Sequence, residues 1–145
     1  VIDAKKIDFC KEIMLHGNEI ESMMKVIGED GTSLGDFIIY LKEEMLDAVY
    51  FQQNSFDEVE ANCHKDRQNY VINKLVGILG SDFELKDRDS ARTYFNRLRQ
   101  KFIDWNYAPF KSQDFDKLEK EIDKLYEECG GKLTAQAQEL LKVEG

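Results

Sequence analysis

Ala91-Arg92-Thr93-Tyr94-Phe95-Asn96-Arg97-Leu98-Arg99-Gln100-Lys101-Phe102-Ile103-Asp104-Trp105 carries apolar or aromatic side chains at helical spacing, at positions 91, 94, 95, 98, 102 and 105. Steps of three and four bring all six onto one side of a helix, and the intervening charged and amide residues onto the other. Pro109 ends this helix because it cannot continue the hydrogen-bond ladder. Ser112 then caps a second helix, in which Phe115, Leu118, Ile122, Leu125, Tyr126 and Cys129 recur at the same spacing until Gly130-Gly131 stops it. A short tail from Thr134 to Lys142 adds a final helix.

The same period extends upstream. Val71, Ile72, Leu75, Ile78 and Leu79 form the face of a helix that begins near Lys65 and breaks at Gly80-Ser81. From Asp3 to Ile27 the stripe is Ile7, Cys10, Ile13, Met14, Ile20, Met24 and Ile27, ended by Gly28-Glu29-Asp30-Gly31. Ser33, with Asp36 three residues on, restarts a helix in capping-box fashion. Leu34, Phe37, Ile38, Leu41, Met45 and Ala48 give its inner face to about Gln52. No segment alternates apolar and polar residues over strand length between hairpin signals. The pattern therefore predicts an all-α fold, a bundle of five to six amphipathic helices in one domain over 1–145.

Composition narrows function by exclusion. The chain has 145 residues and a net charge of -9, a balance that disfavours duplex nucleic acid and anionic membranes, whose affinity comes from basic surfaces. Three cysteines, Cys10, Cys63 and Cys129, lie far apart and in odd number, which fits a reducing cytoplasm rather than a disulfide framework. The absence of a long apolar run predicts no membrane insertion. The first residue, Val1, suggests a piece of something larger.

Phe51-Gln52-Gln53-Asn54-Ser55-Phe56-Asp57-Glu58-Val59 is the least ordinary stretch. Amides flanked by aromatic rings can hold a flat, polar-edged group against a ring face. Equally, Ser55 can cap a short helix, with Glu58 completing the box and Phe51 and Phe56 stapling its entry. Cys63-His64 with Glu60 falls short of a zinc site, which needs three or four converging ligands, and only His16 and His64 supply imidazoles. Adjacent acids such as Glu43-Glu44, Asp57-Glu58 and Glu127-Glu128 diverge around a helix and read as solvated faces. Arg92, Arg97, Arg99 and Lys101 make one helix locally basic, and the interleaved Asp89 and Asp104 predict pairing within the chain. The run Phe102 to Tyr107 reads as core and helix-end packing. With no phosphate loop, dinucleotide fingerprint or nucleophile elbow, the chain by itself carries no catalytic set and no metal site.

Glu19-Ile20-Glu21-Ser22-Met23-Met24-Lys25-Val26-Ile27-Gly28-Glu29-Asp30, followed by a helix and then by Phe51 to Val59 with Glu60 and Cys63, resembles the C-terminal domain of the catalytic A subunit of V-type and A-type ATP synthases. The resemblance is strongest over residues 10–80. It implies a helical domain of a subunit that binds ATP or ADP with Mg upstream of this segment, alternates with a B subunit, and couples hydrolysis or synthesis to proton or sodium-ion transport in a soluble cytoplasmic head beside the membrane. By the same resemblance Gln53, Ser55 and Phe56 stand beside the adenine, with Ser55 where the family usually has Ala and Asp57 where it often has His. The resemblance also implies that the turn at Glu29, Asp30, Gly31 and Asp36 meets the central-stalk rotor. No cofactor is expected on the isolated domain. The competing expectation is a free-standing helical adaptor that binds a partner protein through an apolar groove.

Overall fold

The computed structural model describes residues 4–59 and 65–142, with side chains over 4–49 and 66–142. Within these residues the chain forms α1 (Ala4–Ile27), a single 3-10 turn (Glu29–Gly31), α2 (Leu34–Val59), α3 (Lys65–Leu79), β1 (Ser81–Asp82), α4 (Arg88–Tyr107), α5 (Gln113–Glu128), β2 (Lys132–Leu133) and α6 (Ala135–Lys142). The all-α expectation holds. Helix α1 packs on α2, α2 on α4 and α4 on α5, while α6 closes over α3.

Capping residues set the starts where the sequence placed them. The Asp36 backbone N–H donates to Ser33 Oγ at 3.2 Å, and that of Phe115 to Ser112 Oγ at 3.1 Å, so each hydroxyl satisfies a donor that the first helical turn leaves without a partner. Asp87 caps α4 in the same way, accepting from Ser90 N–H at 2.8 Å; this bond holds its carboxyl below the usual carboxylate range. Gly28 follows α1 at φ +82°, a left-handed angle that a residue with a Cβ resists.

All six periodic residues of α4 are buried, as are Phe115, Ile122 and Leu125 of α5 and Val71, Leu75, Val76, Ile78 and Leu79 of α3. Trp105 stacks on Phe115 with ring centroids 4.7 Å apart, and its indole N–H donates to the Phe115 carbonyl at 3.1 Å. Its polar edge is thereby satisfied inside an aromatic core. In the 102–107 run Phe102, Trp105 and Asn106 are core as expected, Ile103 is half-buried, and Asp104 and Tyr107 are exposed.

Two expectations need correction. The stripe on α1 is corrected at its ends: Ile20 is buried and Cys10, Ile13, Met14 and Met24 pack against the core, but Ile7 and Ile27 are exposed and Lys6, Phe9 and Gly17 are buried as well. Lys6 is tolerated inside because its ammonium donates to Asn73 Oδ1 on α3, and Gly17 lets α1 approach so closely that an added Cβ would lie 2.3 Å from Glu43 Cβ. The second correction is a two-residue antiparallel pairing, Ser81 with Leu133 and Asp82 with Lys132. It is too short to leave an alternation in the sequence, and the Thr134 N–H and hydroxyl, both donating to Gly80 O at 2.9 Å, extend it into α6.

Candidate functional site

The sequence singled out two places, and α2 joins them. At its start lies the acidic turn. Glu29 and Asp30 both point toward α4: Arg92 Nη2 lies 2.5 Å from Glu29 Oε1, and Arg88 Nη2 lies 3.0 Å from Asp30 Oδ1. Arg88 also donates to the Thr32 carbonyl at 3.2 Å, and the Arg92 guanidinium sits 5.1 Å from the centre of the Phe37 ring. Two arginines four residues apart on one face of α4 thus clamp the turn to the body of the domain. Gly31 remains exposed at the tip and Asp36 is half-buried on the first turn of α2.

Glu29, Asp30, Gly31 and Asp36 are therefore gathered in one small region, as the sequence suggested. Its arginine partners were not identified from sequence. Arg92 was expected to pair within the chain, and does so with Asp89 at 3.5 Å, but the shorter contact reaches Glu29 across the bundle. The available signal was the Arg88/Arg92 spacing opposite an acidic turn. Lys101 likewise finds Glu121 on α5 at 2.9 Å.

At the far end of α2 are positions 51–59. The expected break near Gln52 is corrected, because the helix runs without interruption to Val59. No glycine or proline stands between 51 and 59 to stop it, and the capping preference of Ser55 yields to propagation of a helix already formed. Ser55 is thus an interior helical residue at the backbone level, not an N-cap. The side chains of Gln53, Ser55 and Phe56 lie outside the described residues, as do Glu60, Cys63 and His64.

Between the ends, α2 carries two perturbed groups. Glu43 is buried, and burial together with the Asp47, Glu21 and Glu44 carboxylates raises its carboxyl above the ordinary range. Lys42 bridges to β1, donating to the Ser81 carbonyl at 2.8 Å; burial lowers its ammonium, opposed by Asp82. A cleft of about 210 Å³ beside it is lined by Phe9, Ile13, His16 and Thr134. No group of three metal-ligating side chains occurs among the described residues, and no helix among them is long and apolar enough to cross a membrane.

Relatives named V-type ATP synthase alpha chain match most of this chain. The protein of Treponema denticola is 44% identical over 142 residues, 98% of this chain and 24% of its own length. The chain belongs to the V-type ATP synthase alpha-chain family. The alpha chains of Borrelia turicatae and Borrelia garinii subsp. bavariensis are 46% and 47% identical over 125 residues, 86% of this chain and 22% of theirs. The chain spans about a quarter of the length of these alpha chains. No family model and no solved structure matches it. Likeness to the alpha chain of Treponema denticola extends beyond residue 80, past the stretch where the family resemblance was strongest, so the arginine clamp on α4 falls within the matched region.

Proposed function

We propose that the chain is the C-terminal helical domain of the alpha chain of a rotary ATPase, and that α2 converts nucleotide occupancy at one end into displacement of the acidic turn at the other. The observation that carries this reading is the continuity of α2 from Leu34 to Val59, 26 residues without a break. At 1.5 Å per residue it is a rod of about 39 Å, longer than a helix ending near Gln52 would be.

In this reading Gln53, Ser55 and Phe56 form one wall of the adenine pocket, Phe56 packing on the base and the amides meeting its polar edge. The phosphates and Mg are held by parts of the alpha chain outside this segment, since no phosphate-cradling loop occurs in it. The Glu29, Asp30, Gly31 and Asp36 turn meets the central stalk. Because Arg88 and Arg92 already engage Glu29 and Asp30, the turn acts by shape, as a stiff tip, more than by steering a basic partner. The B subunit and stalk are the partners, and the assembly is the cytoplasmic head of a machine that moves protons or sodium ions. Motion follows only if nucleotide binds one tilt of the domain better than the other.

Kinetics of the assembled complex test both ends. Phe56→Ala should raise the KM for ATP, and an unchanged KM removes the adenine contact. Replacing Glu29, Asp30 and Asp36 by Ala should loosen coupling of hydrolysis to transport while leaving nucleotide affinity intact; full coupling would reduce the turn to a linker.

A further inference from the structure

The turn between α1 and α2 keeps its own shape through short-range bonds. Gly31 N–H donates to Gly28 O at 3.2 Å and Thr32 N–H to Glu29 O at 3.0 Å, while the Thr32 hydroxyl donates to Gly28 O at 3.2 Å. Where the turn points is a separate matter. None of Glu29, Asp30 and Gly31 is buried, so no apolar side chain at the tip anchors it to the core. What reaches the tip from the body of the domain is α4, through Arg88 and Arg92.

The two arginines are not equivalent. Asp30, the ionic partner of Arg88, is fully exposed, and an ion pair of that kind is readily replaced by water and salt. Arg92 and Glu29 are both half-buried, and the same guanidinium that lies 2.5 Å from Glu29 lies 5.1 Å from the centre of the buried Phe37 ring on the first turn of α2. One planar group therefore joins three elements: the turn, the start of α2 and α4. A lysine ammonium lacks both the fork that grips a carboxylate and the flat face that lies on a ring. The neighbouring charges do not compete for this place. Asp89 is 3.5 Å from Arg92 on its own helix, and Asp87 is committed to the Ser90 N–H. Lys86 and Asp36 enter no ion pair among the described residues.

We infer that Arg92 is a positioning residue for the coupling step: it sets the orientation of the acidic turn, so that the turn, the start of α2 and α4 tilt as one body. At position 29 the pairing matters, and the sign of the charge does not. This rests on the reading that the turn meets the central stalk, and adds which residue on which helix makes the tip stiff enough to push. Without Arg92 the backbone bonds within the turn remain, but nothing links Glu29 to the bundle, and a displacement of α2 is spent on swivelling the turn.

Ions moved per ATP hydrolysed by the assembled complex in sealed vesicles, measured alongside hydrogen exchange of residues 28–36, test this joint. Arg92→Ala should lower the ratio and leave the KM for ATP unchanged. The 28–36 amides should exchange about threefold to tenfold faster, with those of α5 unaffected. Arg88→Ala should change both readouts less, since its ionic partner is fully exposed. Arg92→Glu combined with Glu29→Arg should recover most of the coupling that Arg92→Glu alone loses, because the pair returns with its sign inverted. Full coupling in Arg92→Ala overturns the proposal, as does exchange at 28–36 that fails to quicken. A raised KM moves the effect to the nucleotide end and overturns it too. If exchange quickens across α5 as well, the domain has loosened as a whole and the paired reversal decides: recovered coupling upholds the joint, and none overturns it. Replacing Glu29, Asp30 and Asp36 by Ala separates this from the turn contact. Coupling lost there but kept in Arg92→Ala leaves the turn contact standing while the joint fails, and coupling kept in both removes the two together.

Discussion

Helices α4 and α1 are similar in length and opposite in lesson. In α4 every residue of the periodic set is buried, because α2 covers one flank and α5 the other, so the apolar stripe is wholly consumed by the domain itself. In α1 apolar side chains occupy two faces. One packs on α2 and the other points outward. A helix with a single apolar face announces its orientation, whereas a helix with two does not, and the second face is the one that looks beyond the domain.

If that contrast is correct, substitutions should separate the two helices by size of effect. Trp105→Ala removes the stacked ring and the indole bond to Phe115 and should cost about 3–5 kcal/mol in urea unfolding. Gly17→Ala should come next, at about 1–3 kcal/mol, because the new methyl collides with Glu43 Cβ and forces α1 away from α2. A cost near zero there would show that the α1/α2 contact is looser than its geometry implies.

Glu43 supplies a pH test of the same contact. A carboxyl raised in the folded state binds its proton more tightly there than in the unfolded chain. Its contribution to stability is complete below the unfolded value of 4.5 and is lost as pH rises through the higher folded value. Glu43→Gln should therefore melt at a more constant temperature across this window and above the parent at neutral pH. A parent and variant that change in parallel with pH would show that Glu43 is not the group responsible. The smallest effect belongs to the outer face of α1, where Val26→Ser should change stability by no more than about 0.5 kcal/mol. A larger loss would mean that Val26 is covered within the domain and would erase the contrast.

The same contrast explains what was legible in the sequence. Periodicity located the helices because local spacing and capping residues such as Ser33 and Ser112 act within a few positions. It assigned the α4 face in full and misassigned Ile7 and Ile27, since two apolar faces satisfy the same count. The burial of Lys6 depends on Asn73, which is 67 residues away, and the clamping of Glu29 on Arg92, which is 63 away; no local pattern encodes either. The acidic turn was visible as a candidate for the opposite reason, because its residues are neighbours in the chain. At Ser55 the local signal was present and misleading, since a capping residue inside a strong helical run has no terminus to cap.

The single tryptophan is fully enclosed, stacked on Phe115 between α4 and α5, and this makes it an optical reporter with a defined field of view. Its emission should lie to the blue in the folded chain and move to the red on unfolding, since the indole exchanges an aromatic cage for water. The rings packed on Trp105 are Tyr70, Phe102 and Phe115, on α3, α4 and α5. Fluorescence from Trp105 therefore reports directly whether α3, α4 and α5 remain packed on one another, from a single residue and without any added label.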